Sequence, residues 1–190
     1  MKKSIILLIG MLVAISTSYA SDKYTEAMQK AMSELSLAQT PEDFLEVSNA
    51  FARIAAVEQS KWIPAYYAAY STTIFAAMED NSELKDQYLD KAEEFLKAAS
   101  SADRQNAEIL GLQGFIYLLR IAVDPQNRGQ EFSGKSGKVL AKAREMDPDN
   151  PRIMYLTAQL ISMFDNYSSD IPFYPSWGKN MAIGFRERCH

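Results

Sequence analysis

Apolar and polar residues follow one another along this chain with the period of an α-helix. Within residues 139–163, apolar side chains recur every three to four positions on both sides of a short polar turn. Proline lacks the amide that continues a helix but suits a first helical turn, so Pro148 ends one helix and Pro151 begins the next. The stretch therefore predicts two helices joined by a turn. The face of the second helix that we expect to be buried carries Met154, Ala158 and Ile161.

The same pattern recurs upstream at a nearly constant spacing. The first helices of successive pairs are predicted to start at Ser21, Pro64, Ala107 and Pro151, at intervals of 43, 43 and 44 residues. In the third unit Leu110, Gly114 and Tyr117 form a large, small and large series along one face. A small residue one turn after a large one lets a second helix approach closely. Because no segment shows sustained two-residue alternation, we predict an all-α fold built from helical hairpins.

The first twenty residues have the pattern of a secretory signal peptide. Lys2 and Lys3 form a basic start, Ile5–Ile15 is an apolar run, and small residues precede a cleavage site after Ala20. The run is shorter than the about 18–20 apolar residues that a membrane span needs, so no stable membrane anchor is expected after cleavage. No cysteine follows the run, which argues against a lipoprotein. We expect export to a bacterial periplasm.

Three parts follow from this pattern. Residues 1–20 are the signal peptide, residues 21–165 form the helical repeat domain, and residues 166–190 form a C-terminal segment. The first helix of the fourth unit, which starts at Pro151, is followed by a short, turn-rich stretch instead of a clear second helix. The C-terminal segment is therefore a candidate capping helix.

The series of large and small positions, with a proline at the turn between units, resembles the tetratricopeptide repeat family. Leu110, Gly114 and Tyr117, followed by Pro148, carry the likeness most clearly. The units are roughly ten residues longer than the family's pattern, which longer helices or turns can absorb. The resemblance implies a right-handed α-solenoid of about three and a half repeats, similar to exported tetratricopeptide proteins of Gram-negative bacteria. It also implies a binding scaffold.

Composition argues against catalytic, metal and nucleic-acid chemistry. The chain has one cysteine and one histidine, Cys189 and His190, and two ligands on a chain terminus do not make a closed metal site. Cys189 has no partner within the chain for a disulfide. We therefore predict no catalytic centre, no metal and no cofactor. After removal of the signal peptide the net charge is about −6, and no basic stripe is present, so a nucleic-acid partner is not expected.

One segment matches the sequence motif of a phosphate-binding loop. Gly129 to Ser136 read GQEFSGKS, which fits a loop whose backbone amides hold phosphates and whose lysine reaches the terminal phosphate. Such a loop follows a buried strand, whereas a helical pattern precedes it here. We expect a flexible turn, with the next helix starting near Ser133 or Ser136. A nucleotide-binding protein using Gly129 to Ser136 is kept as an alternative.

In tetratricopeptide arrays the first helices line a concave groove. Carried over by position, the resemblance implies a partner-binding groove formed by Thr72, Phe75, Phe115, Leu119, Tyr155 and Gln159. This largely apolar set suits an amphipathic helix or extended segment, so the main hypothesis is a non-catalytic periplasmic scaffold for a protein or peptide partner.

Other occupants of the groove stay open. The chain's own C-terminal segment, which carries Phe173, Tyr174 and Trp177, is one candidate. A small ligand or an envelope component is another. The aromatic cluster Tyr66, Tyr67, Tyr70 and Phe75 is a candidate ligand box, although at helical spacing about half of it must be ordinary core.

Overall fold

The computed structural model describes residues 23–165, and all regular elements in this range are α-helices. The predicted all-α fold is therefore confirmed for these residues. The predicted signal peptide, the C-terminal segment 166–190 and Cys189 lie outside them. The helices in chain order are α1 (residues 23–37), α2 (Pro41–Val57), α3 (Trp62–Met78), α4 (Ser82–Ala102), α5 (Ala107–Val123), α6 (Pro125–Met146) and α7 (Pro151–Asp165).

Polar side chains fix where several helices begin. At the start of α2 the hydroxyl of Thr40 accepts a hydrogen bond from the Asp43 amide at 3.2 Å, and the Asp43 carboxylate accepts one from the Thr40 amide at 2.8 Å. This reciprocal capping satisfies two amides that have no partner in the helix. Asn81, Asn106 and Asp124 accept bonds from the first amides of α4, α5 and α6 in the same way. Local sequence therefore determines where these helices begin.

Two of the three predicted starts of first helices within the described range agree with the structure. The helix α5 begins at Ala107 and α7 at Pro151, while α3 begins at Trp62, two residues before the predicted Pro64. The extra residues of each unit extend the second helices, since α4 has 21 residues and α6 has 22.

The predicted start of the sixth helix near Ser133 or Ser136 is wrong. Helix α6 runs unbroken from Pro125, because Asp124 caps it and proline fits the first turn. Gly129 to Ser136 are therefore helical, and their amides are used by the helix itself. Ser136 is buried and donates to the carbonyl of Gly114 at 3.1 Å. The expected flexible turn is absent from this segment, and with it the amide cradle that nucleotide binding would need.

Helices α3 and α5 form the centre of the described fold. Most of their residues are buried, whereas α4 and α6 each bury a single stripe. Helix α5 contacts α3, α4, α6 and α7. A Cβ atom added at Gly114 would lie 2.6 Å from Cδ2 of Leu140 in α6, which is closer than real contacts allow. The missing side chain therefore lets α5 and α6 pack closely.

A buried arginine joins α5 to α4, and a second arginine joins α6 to the same cluster. Nη1 of Arg120 donates to Asp86 at 2.9 Å, while Nη2 donates to Asp90 and, at 3.0 Å, to Glu93. Arg128 of α6 donates to the same Asp86 carboxylate at 2.7 Å. Burial raises the pKa of Asp86, but the hydrogen bonds from Arg128 and Arg120 outweigh it and lower the pKa overall. Acidic partners thus compensate a guanidinium that would be costly to bury alone.

Helix α7 packs against α5 and α6. Its buried apolar side chains within the described range are Ile153, Leu156 and Leu160. The predicted buried face of this helix is wrong for the described residues: Met154 is 52% exposed, Ile161 is 55% exposed, and Ala158 is also exposed. The reason is that α5 and α6 contact a neighbouring face of the helix.

First helices also contact one another, α3 with α5 and α5 with α7. The right-handed solenoid of about three and a half tetratricopeptide-like repeats stays a prediction. Within residues 23–165, no helix combines the length and the apolar character needed to cross a bilayer.

Two helical glycines provide a matched test of this packing. Gly134→Ala should stabilise the protein by about 0.5–1 kcal/mol, because alanine favours a helix and no atom of the described residues lies within 4 Å of the added Cβ. Gly114→Ala should destabilise it by about 1–3 kcal/mol, because the methyl group meets Leu140. Urea unfolding followed by circular dichroism measures both. A loss of stability in Gly134→Ala would contradict a continuous α6.

Candidate functional site

A small cavity lies where α3, α5 and α7 meet. Its volume is about 20 Å³, which is room for about one water molecule. The apolar part of the wall is formed by Gly111, Leu112, Phe115, Ile153 and Leu156, and the polar part by Tyr66, Tyr70, Glu108 and Arg152.

Helical spacing brings these side chains together. Tyr66 and Tyr70 lie one turn apart on α3, and residues one turn apart share a helix face. The same spacing aligns Gly111 with Phe115 on α5. A Cβ atom added at Gly111 would lie 3.4 Å from Cγ1 of Ile153, which is an ordinary contact distance and shows that α7 lies against this part of α5. The first helices of three successive units, α3, α5 and α7, therefore each contribute one wall of the cavity.

A carboxylate organises the polar end of the cavity. Oε2 of Glu108 accepts hydrogen bonds from the Tyr66 hydroxyl at 3.2 Å and from Nη1 of Arg152, and Oε1 accepts one from Asn150 at 2.7 Å. Nη1 of Arg152 also lies 3.3 Å from the Tyr66 hydroxyl oxygen. Oδ1 of Asn150 accepts from the Arg152 amide at 3.0 Å and so caps α7. The cluster therefore fixes the start of α7 against α3 and α5.

The two cavity tyrosines are protonated at neutral pH. Burial raises the pKa of Tyr66 well above its usual value, and the nearby Glu108 raises it further, while Arg152 offsets part of the effect. Burial also raises the pKa of Tyr70, again partly offset by Arg152. Both hydroxyls therefore face the cavity as neutral phenols.

Aromatic rings continue from the cavity along α3. The Trp62 and Tyr66 rings meet edge to face with centroids 5.6 Å apart, and the Tyr66 and Tyr67 rings do so at 5.3 Å. Tyr67 and Tyr70 are also edge to face, at 6.4 Å. Such contacts favour fixed orientations of the rings, so the α3 wall of the cavity is aromatic and well packed.

The structure places the six predicted groove residues in different surroundings. Thr72, Phe75, Phe115 and Leu119 are buried, and do not form an exposed surface. Thr72 lies 2.6 Å from the Ser48 hydroxyl, and Phe115 lines the cavity. On α7, Tyr155 is 39% exposed and Gln159 is half-buried. A role of these residues in holding a protein or peptide partner stays a prediction.

Sequence reasoning did not identify the polar cluster. Glu108 and Arg152 lie 44 residues apart, which is one repeat, and each is the second residue of its first helix. Opposite charges at equivalent positions of successive units were the signal that could have found the pair. The sequence pattern indicates Tyr66 only as a member of an aromatic cluster.

A second, open groove runs between α1 and α2, with a volume of about 500 Å³. Its floor includes Ala27, Ala31 and Ala50, and its charged lining includes Lys23, Lys30 and Arg53. Neither this groove nor the cavity holds a metal centre: in the described part of the chain, no three histidine, cysteine, aspartate or glutamate side chains are grouped to bind an ion.

No protein-family model matches the chain, and neither does any curated protein. Among solved structures, the chain is similar to the HusA haemophore from Porphyromonas gingivalis, with 30% identity and a TM-score of 0.64. The match covers 84% of this chain and 89% of that chain. The chain belongs to the HusA haemophore family. This match does not test the tetratricopeptide resemblance, which therefore stays a prediction.

The protonated tyrosines give a pH-dependent prediction. Because folding raises the pKa of Tyr66 and Tyr70, their contribution to stability is complete below about pH 10, the usual tyrosine pKa, and is lost as the pH rises further. In a titration followed by phenolate absorbance, the double variant Tyr66→Phe, Tyr70→Phe should lack two late-titrating phenols. Its free energy of unfolding should also fall less steeply above pH 10. If both phenols titrated at their usual pKa in the folded protein, the burial of Tyr66 and Tyr70 would be contradicted.

Proposed function

We propose that this protein is a non-catalytic binding protein for a haem-type tetrapyrrole, held between α3, α5 and α7. The observation that carries the proposal is the match to the HusA haemophore, at 30% identity over most of both chains. The cavity supports it, because an aromatic and apolar wall ends in an arginine. A small ligand therefore replaces a protein or peptide partner as our main hypothesis.

The chemistry of the lining suits such a ligand. A tetrapyrrole such as haem is a flat apolar ring with carboxylates along one edge. Phe115 and Leu156 would bury the ring, and Tyr70 would contact it with its ring and its hydroxyl. Arg152 would bind a carboxylate through charge-assisted hydrogen bonds. Glu108 keeps Tyr66 and Asn150 as donors when Arg152 turns to the ligand, so no carboxylate is left buried without a partner.

The size of the cavity adds a condition. Pockets for small molecules usually have about 300–1,000 Å³, far more than the cavity described here. Binding therefore requires α7 to move away from α3 and α5. This helix is the natural moving part, because its main contacts within the described range are with α5 and α6 only. The free energy of opening lowers the apparent affinity, as in any protein whose binding-competent state is sparsely populated.

Within the described residues, few side chains at the cavity could ligate iron. Residues 23–165 include no histidine or cysteine, and the phenols at the cavity are Tyr66 and Tyr70. Their raised pKa means that binding of ferric iron by a phenolate would release a proton.

The proposal includes secretion through the predicted signal peptide of residues 1–20 to the periplasm, where such a ligand would be met. It also includes a right-handed solenoid, which the contacts of α5 with both α3 and α7 support. In that arrangement the cavity lies on the concave side, where first helices meet.

The test is a titration of the protein without its signal peptide with haem, followed by the visible absorption of the bound ligand. We expect saturable binding, weakened about 10- to 100-fold in Arg152→Gln, because a charge-assisted hydrogen bond is worth about 1.5–3 kcal/mol. The matched control is Arg53→Gln, which removes an arginine from the groove between α1 and α2 and should leave the affinity unchanged. Circular dichroism checks that both variants keep their helices.

Together, these measurements distinguish whether the protein binds haem from where on the protein haem binds. Absence of saturable haem binding by the unchanged protein would contradict the proposed function. Binding that is weakened by Arg53→Gln, and not by Arg152→Gln, would keep the function and move the site to the groove between α1 and α2.

A further inference from the structure

We propose that residues 166–190 of the same chain cover the outer face of α7, which we define by Met154, Ala158 and Ile161. All three side chains are exposed within the described residues, and Met154 and Ile161 by more than half. Apolar side chains that recur with helical spacing normally face another element. This inference concerns how the fold is completed and does not depend on the identity of the ligand.

The repeat shows what normally covers this face. One unit upstream, the equivalent residues are Leu110, Gly114 and Tyr117 on α5. None of the three is exposed, because α6 lies on them: the Tyr117 ring is 5.7 Å from that of Phe132, and Gly114 adjoins Leu140. A further unit upstream, the equivalent residues of α3 are Tyr67, Ser71 and Ile74, and none of them is exposed. Helix α4 contacts α3, and the Tyr67 ring stacks on Phe51 of α2. On α5 the face is therefore covered by the helix that follows it in the chain, and α3 has helices on both sides.

The space beside the outer face of α7 is also open. A groove of about 410 Å³ runs between α6 and α7, and its lining combines apolar and small residues, such as Leu140, Ala141 and Leu160, with the charged Arg144 and Glu145.

The 25 residues that follow Asp165 have suitable chemistry. Trp177, Met181 and Phe185 recur every four residues, which is the spacing of one helical face. Because the segment is joined directly to α7, it meets the outer face at a high effective concentration. A second copy of the protein, or another partner, would have to compete with that advantage.

Trp177 can report its own surroundings. The chain has two tryptophans, so Trp62→Phe leaves Trp177 as the single one. In the ligand-free protein we expect Trp177 fluorescence to be blue-shifted and protected from acrylamide. Adding Ile161→Asp should raise the quenching constant several-fold and shift the emission to that of solvated tryptophan. The control Val57→Asp places the same charge on an exposed apolar residue of α2 and should change neither reading.

Three outcomes would overturn the inference. The first is solvent-like emission from Trp177 before the face is altered, and the second is protection that Ile161→Asp leaves unchanged. The third is protection that disappears on dilution together with a halving of the mass in sedimentation, which would assign the face to a second copy. Since no ligand is present, each result is independent of haem binding.

Discussion

The close approach of helices to α5 is the constraint on which the described fold depends. This helix contacts α3, α4, α6 and α7, and its close approach to α6 depends on a position that carries no side chain. A Cβ atom at Gly114 would overlap Leu140 of α6, whereas one at Gly111 would make an ordinary contact with Ile153 of α7. Close packing increases the dispersion attraction between helices and buries apolar surface. It also fixes the distances between the first helices α3, α5 and α7. That distance decides how much room is left for a ligand.

The cavity is a consequence of this packing and of one ion pair. Glu108 and Arg152 meet across the junction of α5 and α7, with Tyr66 completing the cluster from α3. The cluster closes the polar end of a small, partly aromatic cavity that is too small for a tetrapyrrole in the described arrangement. The proposed binding of a tetrapyrrole therefore requires a movement of α7. On this account the same contacts that position Arg152 also set the free energy of opening.

The sequence allowed the helices to be predicted better than the site. Thr40 and Pro151 mark helix starts because capping and proline effects are local. The continuity of α6 was missed because glycine and serine have low helix propensity, whereas tertiary contacts such as that of Ser136 with α5 override propensity. The site was missed for a different reason: Glu108 and Arg152 become neighbours only when successive units stack. The burial of Thr72 and Phe75 likewise depends on how closely the units approach.

The most direct test of the central claim is an amide NMR titration with ferric haem, whose paramagnetic iron broadens the signals of nearby residues. If the ligand lies between α3, α5 and α7, the amide signals of Gly111 and Leu156 broaden first, and those of Ala27 and Ala50 in the groove between α1 and α2 stay sharp. Broadening confined to Ala27 and Ala50, with Gly111 and Leu156 unaffected, would contradict the account.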